Sequence, residues 1–195
     1  MSRGTKGRNN ISQLRIIGGQ WRGRKLTFTP VEGLRPTTDR VRETLFNWLA
    51  QDIHDANCLD LFAGSGALGL EALSRGAGHC DFVDTSSAAQ KQLRAHLQTL
   101  DASGRSHCHA VSALTFLEQA HRPWNIVFID PPFGQNLVAP ACELLAHSSA
   151  LSPGALVYVE TGVKENAPDF PANWQLHREK KAGGVSYRLF IVHAE

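Results

Sequence analysis

The segment Asp130-Pro131-Pro132-Phe133 follows an apolar run at residues 126–129 and combines a strand end with an unusual set of chemical groups. Such a run is typical of a buried parallel strand, and ligands of open α/β sheets bind beyond the carboxyl ends of these strands. Two prolines stiffen the turn and carry no N–H, so the Asp130 carboxylate and the Pro131 carbonyl remain as paired acceptors. They can accept both protons of an exocyclic NH2 group while Phe133 stacks on the ring that carries it. The alternative is that Asp-Pro only begins a turn.

A glycine-rich segment lies upstream, between a strand-like run at residues 57–62 and a helix-like run at residues 67–75. Its glycines have the G-x-G-x-x-G spacing, which permits a tight turn and lets the backbone approach a ligand at a helix N-terminus. This segment predicts a cofactor-binding loop. Its candidate contact residues are Phe62, Gly64, Ser65, Gly66 and Gly69.

Asp84 lies 20 residues after Gly64, at the end of the next apolar run. An acid at this spacing is placed to hold both hydroxyls of a ribose, so the pair predicts a nucleoside cofactor. The alternative role for Asp84 is a helix N-cap, for which Thr85 and Ser86 are competitors.

Asp60 indicates which nucleoside cofactor is bound. Its carboxylate lies four residues before Gly64, where it would repel the pyrophosphate of a nicotinamide dinucleotide. The same carboxylate would attract the ammonium or sulfonium group of S-adenosylmethionine, and we therefore predict that methyl donor. The alternative is that Asp60 caps local backbone N–H groups at the strand end.

Charge is distributed unevenly along the chain. Residues 1–42 contain ten basic residues and two acidic ones, giving +8, whereas the remainder carries −6. A basic segment attached to a mildly acidic nucleoside-binding body favours contact with phosphates. A solubilising tail is the alternative for residues 1–12. It does not explain residues 18–25, where glycines and a tryptophan lie among basic residues in a turn-like pattern.

Composition predicts one cytosolic globular protein. A chain of 195 residues with 42% hydrophobic content can form one domain with a sizeable core. We find no apolar run of membrane-spanning length and no secretory signal pattern. The four cysteines form no C-x-x-C pair, and His107-x-His109 lacks a third ligand, so we predict reduced thiols and no metal site.

From residue 57 onward, strand-like and helix-like runs alternate, which predicts a parallel sheet with helical crossovers. A further helix is expected after Thr38 as N-cap, with Val41, Leu45, Trp48 and Leu49 on its core face. The predicted strands are 14–17, 25–28, 57–62, 80–84, 106–110, 125–129, 154–160, 174–181 and 185–192, and the predicted crossover helices are 67–75, 86–100, 112–120 and 137–147. The first two strands and the last two are expected to form antiparallel hairpins.

These motifs together resemble the class I S-adenosylmethionine-dependent methyltransferases that act on amino groups. More narrowly, residues 15–26, 34–46 and 60–66 resemble the RsmD-type bacterial 16S ribosomal RNA guanine-N2 methyltransferases, and the likeness spans residues 13–190. The resemblance implies an α/β, Rossmann-like class I methyltransferase fold with a mostly parallel seven-stranded sheet. That sheet would end in an antiparallel hairpin and carry a small N-terminal β-hairpin extension. The expected organisation is a disordered basic tail at 1–12, an RNA-binding hairpin extension at 13–34 and a methyltransferase domain at 35–195.

The resemblance also assigns roles to residues of this chain. Residues 130–133 fall on the amine-binding site, Asp60 and the glycine loop on the methionine end of the cofactor, and Asp84 on its ribose. Many relatives have an acid in place of Ser86 and another in place of Ser112, where it contacts the adenine amine, so Ser112 is a weaker cofactor candidate. The candidate RNA contacts are Arg15, Trp21, Arg22, Arg24, Lys25, Arg35 and Thr37.

The leading functional hypothesis is therefore methylation of the N2 amine of one guanine in 16S ribosomal RNA, within an assembled or assembling small subunit. Three alternatives remain: methylation of a protein glutamine or DNA adenine, a non-catalytic RNA-binding assembly factor, and a dinucleotide oxidoreductase. Aspartate instead of asparagine at position 130 speaks against a protein amide substrate. The intact glycine loop and Asp130–Phe133 motif speak against a non-catalytic factor.

Overall fold

The computed structural model describes residues 12–29, 37–119, 122–166 and 168–193. Two short antiparallel strands precede a seven-stranded sheet with helices on both faces. The strands are β1 (Ser12–Arg15), β2 (Lys25–Phe28), β3 (Asn57–Asp60), β4 (His79–Val83), β5 (Ser106–His109), β6 (Trp124–Ile129), β7 (Leu151–Gly162), β8 (Trp174–Ala182) and β9 (Val185–Val192). The helices are α1 (Asp39–Trp48), α2 (Ala67–Ser74), α3 (Ser87–Thr99), α4 (Ala113–Glu118) and α5 (Val138–Ala146), with 3-10 turns at Gly19–Trp21 and Ser103–Arg105. None of these helices is long and apolar enough to cross a membrane.

The seven-stranded sheet has the order β5-β4-β3-β6-β7-β9-β8. The first five of these strands run parallel, and β9 pairs antiparallel with both β7 and β8. The chain proceeds outward from β3 to β5 and then returns to place β6 on the other side of β3. This reversal makes a topological switch point between β3 and β6, where ligands of such sheets bind. The predicted α/β fold is confirmed.

The core has two parts because both faces of the parallel strands are covered. One part joins the sheet to α1, α2 and α3, with Leu45, Phe46, Leu70, Phe82 and Phe128 among its members. The other joins the sheet to α4 and α5, with Leu59, Leu117, Trp124, Val127 and Leu145. Strands buried on both sides explain the continuous apolar runs in the sequence.

Helix α1 begins as predicted. The Thr38 hydroxyl accepts a hydrogen bond from the Val41 N–H at 3.3 Å, and Val41, Leu45 and Leu49 are buried. Trp48 is only partly buried, with its ring stacked on Tyr187 at a centroid distance of 5.4 Å. This cap fixes the start of α1, and Thr37, two residues before α1, is buried.

The structure corrects the boundaries of three strands by two or more residues. Strand β3 ends at Asp60 instead of residue 62. Strand β1 begins at Ser12, one residue inside the predicted tail, and ends at Arg15, because Ile16 instead bonds to the turn through Gly23 and Arg24. Strand β7 extends beyond both ends of the predicted strand 154–160. Its first residue, Leu151, pairs with Trp124 across a register irregularity. The rest of the predicted tail and the segment 30–36 lie outside the described residues.

Candidate active site

Three carboxylates lie at the carboxyl edge of the sheet. Asp60 is the last residue of β3, Asp84 follows β4, and Asp130 follows β6. Because β4, β3 and β6 are neighbours and run parallel, their ends meet at the same edge. The structure thus brings together three of the acids that the sequence singled out.

Asp60 is a buried acid whose ionisation is costly. Its side chain is 2% exposed, and Oδ2 accepts a hydrogen bond from the Gly69 N–H at 2.9 Å. Burial raises the pKa of Asp60 to about 7; the Gly69 N–H partly offsets this rise, whereas the charges of Asp130 and Asp84 add to it. Asp60 therefore caps a local N–H, as the alternative interpretation expected. A cationic ligand group beside it would relieve the repulsion among the three carboxylates.

Asp84 connects the glycine loop to the end of β4. Its carboxylate accepts hydrogen bonds from the Gly64 N–H at 2.9 Å and from the Ser86 N–H at 2.7 Å. Ser86 is the N-cap of α3, with its hydroxyl accepting from the Ala89 N–H at 3.2 Å. The N-cap role thus belongs to Ser86, and the half-buried Asp84 carboxylate stays at the sheet edge.

The three glycines of the loop have different physical roles. Gly64 and Gly66 have φ angles of 51° and 80°, in the left-handed region, and Gly66 is the N-cap of α2. Gly69 lies against β4, where a Cβ would approach the Phe82 ring to 2.2 Å and Cys80 Sγ to 2.8 Å. Gly69 therefore permits close packing of helix on strand, a role that differs from the cofactor contact predicted for it.

Ser112, the weaker adenine candidate, caps α4. Its hydroxyl accepts from the Thr115 N–H at 3.1 Å and donates to Thr115 Oγ1 at 2.8 Å. In the glycine loop, Phe62 is partly buried against the α4 and α5 side of the core, and Ser65 is partly exposed. An adenine contact through Ser112 would have to share a hydroxyl that already makes two hydrogen bonds.

The Asp130–Phe133 segment follows β6 and presents an acid beside an exposed ring. Asp130 Oδ2 accepts a hydrogen bond from Thr37 Oγ1 at 2.7 Å. Burial raises the pKa of Asp130 to about 6, and the Thr37 hydrogen bond acts in the opposite direction. Pro131 is buried, whereas the Phe133 side chain is 42% exposed and lines a cavity together with both prolines and with Glu160. The arrangement offers acceptors for an amine and a free aromatic face.

A family model described as "Conserved hypothetical protein 95" matches residues 14–191. The chain belongs to this family. It is 56% identical over 183 residues to "Ribosomal RNA small subunit methyltransferase D" of Escherichia coli (strain K12), a match that covers 94% of this chain and 92% of the relative. The protein of the same name from Haemophilus influenzae is 49% identical, with 93% and 95% covered.

Solved structures agree with this assignment. A methyltransferase candidate from Escherichia coli superposes with a TM-score of 0.87 at 53% identity, covering 94% of this chain and all of that one. A methylase candidate from Haemophilus influenzae superposes with a TM-score of 0.81 at 46% identity, covering 94% and 100%. The methyltransferase fold of this member of the Conserved hypothetical protein 95 family is thereby established.

In this family member, a buried ionic cluster that the sequence analysis did not single out holds the N-terminal segment. Glu71 is fully buried in α2 and accepts hydrogen bonds from the backbone N–H groups of Ile17 and Gly18 at 2.9 and 2.8 Å. It also pairs with Arg42 and Arg75 at 3.4 and 2.8 Å. The sequence signal for this cluster was a single acid, Glu71, in an otherwise apolar helix sequence at 67–73. A buried charge requires partners, so an acid in such a sequence predicts an ionic cluster.

Trp21 belongs to the core of the protein. It is 8% exposed, its backbone N–H donates to Ser74 Oγ at 3.0 Å, and the Arg105 guanidinium lies 5.6 Å from its ring. The structure thus corrects the expectation of a ring presented to RNA. The glycines around Trp21 fold the turn inward against the end of α2, which gives the ring a packing role.

The other candidate RNA contacts divide into three groups. Arg22, Arg24 and Lys25 are exposed, and Arg15 is exposed while paired with Asp39 at 3.0 Å. Thr37 is 9% exposed and its hydroxyl is engaged by Asp130, so the structure places it beside the amine-binding motif instead of on an RNA-facing surface. Arg35 lies outside the described residues.

Proposed function

We propose that the protein is an S-adenosylmethionine-dependent methyltransferase that methylates the exocyclic N2 amine of one guanine in 16S ribosomal RNA, within an assembled or assembling small subunit in the bacterial cytoplasm. The observation that carries the proposal is the Asp130–Phe133 segment at the switch point of a methyltransferase fold. The names of the relatives support the ribosomal substrate. The motif supports the amino group, because a carboxylate, a carbonyl and an exposed ring suit a flat amine-bearing base.

The residues at the sheet edge fit a positively charged nucleoside. Asp60 is a buried carboxylate close to two other acids, so binding a cation there is electrostatically favourable. Asp84 offers a half-buried carboxylate at the usual place for ribose hydroxyls, and the positive φ angles of Gly64 and Gly66 permit the tight turn of the loop. These residues would hold S-adenosylmethionine, which supplies an activated methyl group when bound.

The protein's own contribution to the reaction is orientation of the amine. A guanine N2 lone pair is delocalised into the ring, and acceptance of both N–H protons by Asp130 and the Pro131 carbonyl localises it toward the methyl donor. Asp130 then takes up the proton that the methylated amine loses. The Thr37 hydroxyl holds the Asp130 carboxylate in one orientation through its hydrogen bond. Stacking on Phe133 fixes the plane of the base.

The exposed basic residues of the N-terminal segment provide the phosphate contacts in this proposal. Arg22, Arg24 and Lys25 are exposed in a segment that Glu71 anchors to α2. Anchoring keeps these cations at a defined position relative to the active site. Phosphate contacts of this kind position a substrate without reading its sequence.

Methyl transfer measured with four substrates tests the proposal. Radiolabelled S-adenosylmethionine is supplied with small ribosomal subunits, protein-free 16S RNA, duplex DNA or a protein with an exposed glutamine, using RNA from cells that lack the enzyme. The expected result is one N2-methylguanine per RNA, in subunits or in free RNA. Label in DNA adenine or protein amide instead would overturn the substrate assignment, and no label in any substrate would favour a non-catalytic RNA-binding factor.

A further inference from the structure

Three histidines and one aspartate meet at the β4 and β5 edge of the sheet, beside α4. His79 and Asp81 alternate along β4, and His107 and His109 alternate along β5. The register pairs Asp81 with His107, so all four side chains lie on the same face. The Phe116 ring of α4 contacts the His109 ring at a centroid distance of 4.7 Å, so these side chains lie on the face of the sheet that α4 covers.

The donor atoms converge on one carboxylate oxygen. Asp81 Oδ1 lies 2.9 Å from His109 Nε2, 3.5 Å from His79 Nε2 and 3.7 Å from His107 Nδ1. One ligand atom each from His79, Asp81 and His107 can be chosen so that all three lie within 4.8 Å of one another. A tetrahedral zinc ion with bonds of about 2.0–2.1 Å holds its ligands about 3.3–3.4 Å apart. The three side chains therefore need only small movements to share one ion.

The bonding of His79 suits a metal ligand. Its Nε2 atom is buried and makes no hydrogen bond to the described residues, and Asp81 Oδ1 lies 3.5 Å away. A bound cation would give this buried nitrogen a partner.

The Asp81 carboxylate is held so that one oxygen faces the histidines. Trp124 Nε1 donates to Asp81 Oδ2 at 3.0 Å, so Oδ1 is the oxygen that faces the histidines. Such a bond to the second oxygen is typical of carboxylates that bind metals.

We propose that His79, Asp81 and His107 form a binding site for a divalent transition-metal ion of the zinc class, with His109 hydrogen-bonded beside them to Asp81. Imidazole and carboxylate donors suit these ions. The sequence predicted no metal because His107-x-His109 supplies only two ligands; the others come from β4 and become neighbours only through strand pairing.

The position of the site indicates a structural role for the ion. Strand β5 is an edge strand held only by β4 within the described sheet, and the ligands come from both strands. The backbone of Asp84 donates to the His109 carbonyl at 3.1 Å, so the end of β5 also supports the candidate ribose acid. An ion bound here would fasten β5 to β4 and raise the thermal stability of the protein without taking part in methyl transfer.

Metal binding to the full chain, free of any affinity tag and stripped with a chelator that is then removed, tests the site. The probes are Zn2+ in calorimetry and Co2+ in visible absorption. We expect one ion per chain and a higher melting temperature with Zn2+, and at least tenfold weaker binding in both His107→Ala and His79→Ala. His107 is well exposed, with 62% of its side chain accessible, so His107→Ala decides the test if His79→Ala does not fold.

Two control variants exclude other binding modes. His54→Ala removes an exposed histidine that pairs with Asp55 on the surface, and Cys108→Ser removes the partly exposed thiol. Both should bind Zn2+ as the wild type does. Absence of stoichiometric binding, equal binding by His107→Ala, or loss of binding in Cys108→Ser with a thiolate band in the Co2+ spectrum would overturn the proposal.

Discussion

At the level of single residues, the Thr37 to Asp130 hydrogen bond connects the segment that leads into α1 to the amine-binding motif. The proposed reaction needs the Asp130 carboxylate, whose pKa is raised by burial to about 6 although the Thr37 hydrogen bond acts in the opposite direction. Activity should therefore fall as the pH drops through about 6, where Asp130 gains a proton.

Thr37→Val tests this coupling because it keeps the shape of the side chain and removes the donor. Without the hydroxyl the pKa of Asp130 rises, so the acidic limb of the pH profile of kcat/KM should move to higher pH. We expect a several-fold greater loss of activity at pH 6 than at pH 8. An acidic limb at the same pH as in the wild type would show that Thr37 does not act through Asp130.

Asp60 gives a prediction in which stability and cofactor binding change in opposite directions. Its pKa is about 7 in the folded protein, compared with an ordinary value of 3.8. Ionisation of Asp60 therefore destabilises the folded state, and the cofactor-free protein should become less stable as the pH rises from about 4 to 7. Asp60→Asn removes this cost while keeping an acceptor for Gly69. The variant should melt at a higher temperature than the wild type at pH 8 and bind S-adenosylmethionine more weakly.

The same residue sets the pH dependence of binding. A cationic ligand favours the ionised form, so the affinity of the wild type for S-adenosylmethionine should increase between pH 6 and pH 8, with release of a proton on binding at pH 6. Calorimetry in buffers of different ionisation enthalpy measures both quantities. If the affinity does not depend on pH, or if Asp60→Asn shows the same pH dependence as the wild type, Asp60 does not interact with the cationic end of the cofactor.

At the scale of elements, the turn between β4 and α3 separates a ligand role from a capping role in two nearby residues. Asp84 bonds to the glycine loop, and Ser86 caps α3. Asp84→Ala should weaken cofactor binding by about 1–3 kcal/mol, the usual loss for hydrogen bonds to a charged group. Ser86→Ala is the matched control and should cost about 1 kcal/mol of folding stability with little effect on the cofactor. Binding and melting measured for both variants decide the assignment, and the reverse pattern would make Asp84 a structural residue.

Most elements were predictable from local patterns, whereas their tertiary partners were not. The Thr38 cap and the apolar positions of α1 lie within one short stretch, so the sequence alone identifies the helix. Three of the four partners of Glu71, namely Ile17, Gly18 and Arg42, lie 54, 53 and 29 residues away, and no local pattern encodes such distances. The burial of Trp21 has the same origin, because a glycine-rich turn can present its tryptophan outward or fold it inward.

The candidate site also has features that the sequence predicts and contacts that it does not. The three strand-end acids could be predicted, because the carboxyl ends of neighbouring parallel strands must meet. The contact of Thr37 with Asp130 could not, since it depends on how the segment before α1 packs across 93 residues of sequence. The cluster of His79 and His107 could not be predicted either, because the two residues become neighbours only through the pairing of β4 with β5.

At the scale of the whole molecule, substrate binding should depend on charge separately from cofactor binding. Replacing both Arg22 and Arg24 with Ala should weaken binding to RNA or particles and reduce the log–log salt slope by about 0.7–0.9 per lost contact. Arg122→Ala is the control, because it removes one exposed cation outside the N-terminal segment. For each charge removed, it should change the slope less than the double Arg22 and Arg24 variant does. Trp21→Ala should lower the melting temperature without changing the slope. Equal slopes for the wild type and the double variant would leave the N-terminal charge as a solubility feature.

Nucleoside mass mapping of small-subunit RNA tests whether this protein methylates a guanine through Asp130. The RNA comes from cells that lack the protein and are complemented with the wild type or with Asp130→Ala. Asp52→Ala is the control, since it removes an exposed carboxylate that follows α1 and lines a cavity with Asn125, near the amino ends of the strands. We expect one N2-methylguanine to be absent from the deleted cells, to return with the wild type and Asp52→Ala, and to stay absent with Asp130→Ala. An unchanged set of N2-methylguanines in the deleted cells, or restoration by Asp130→Ala, would contradict the account.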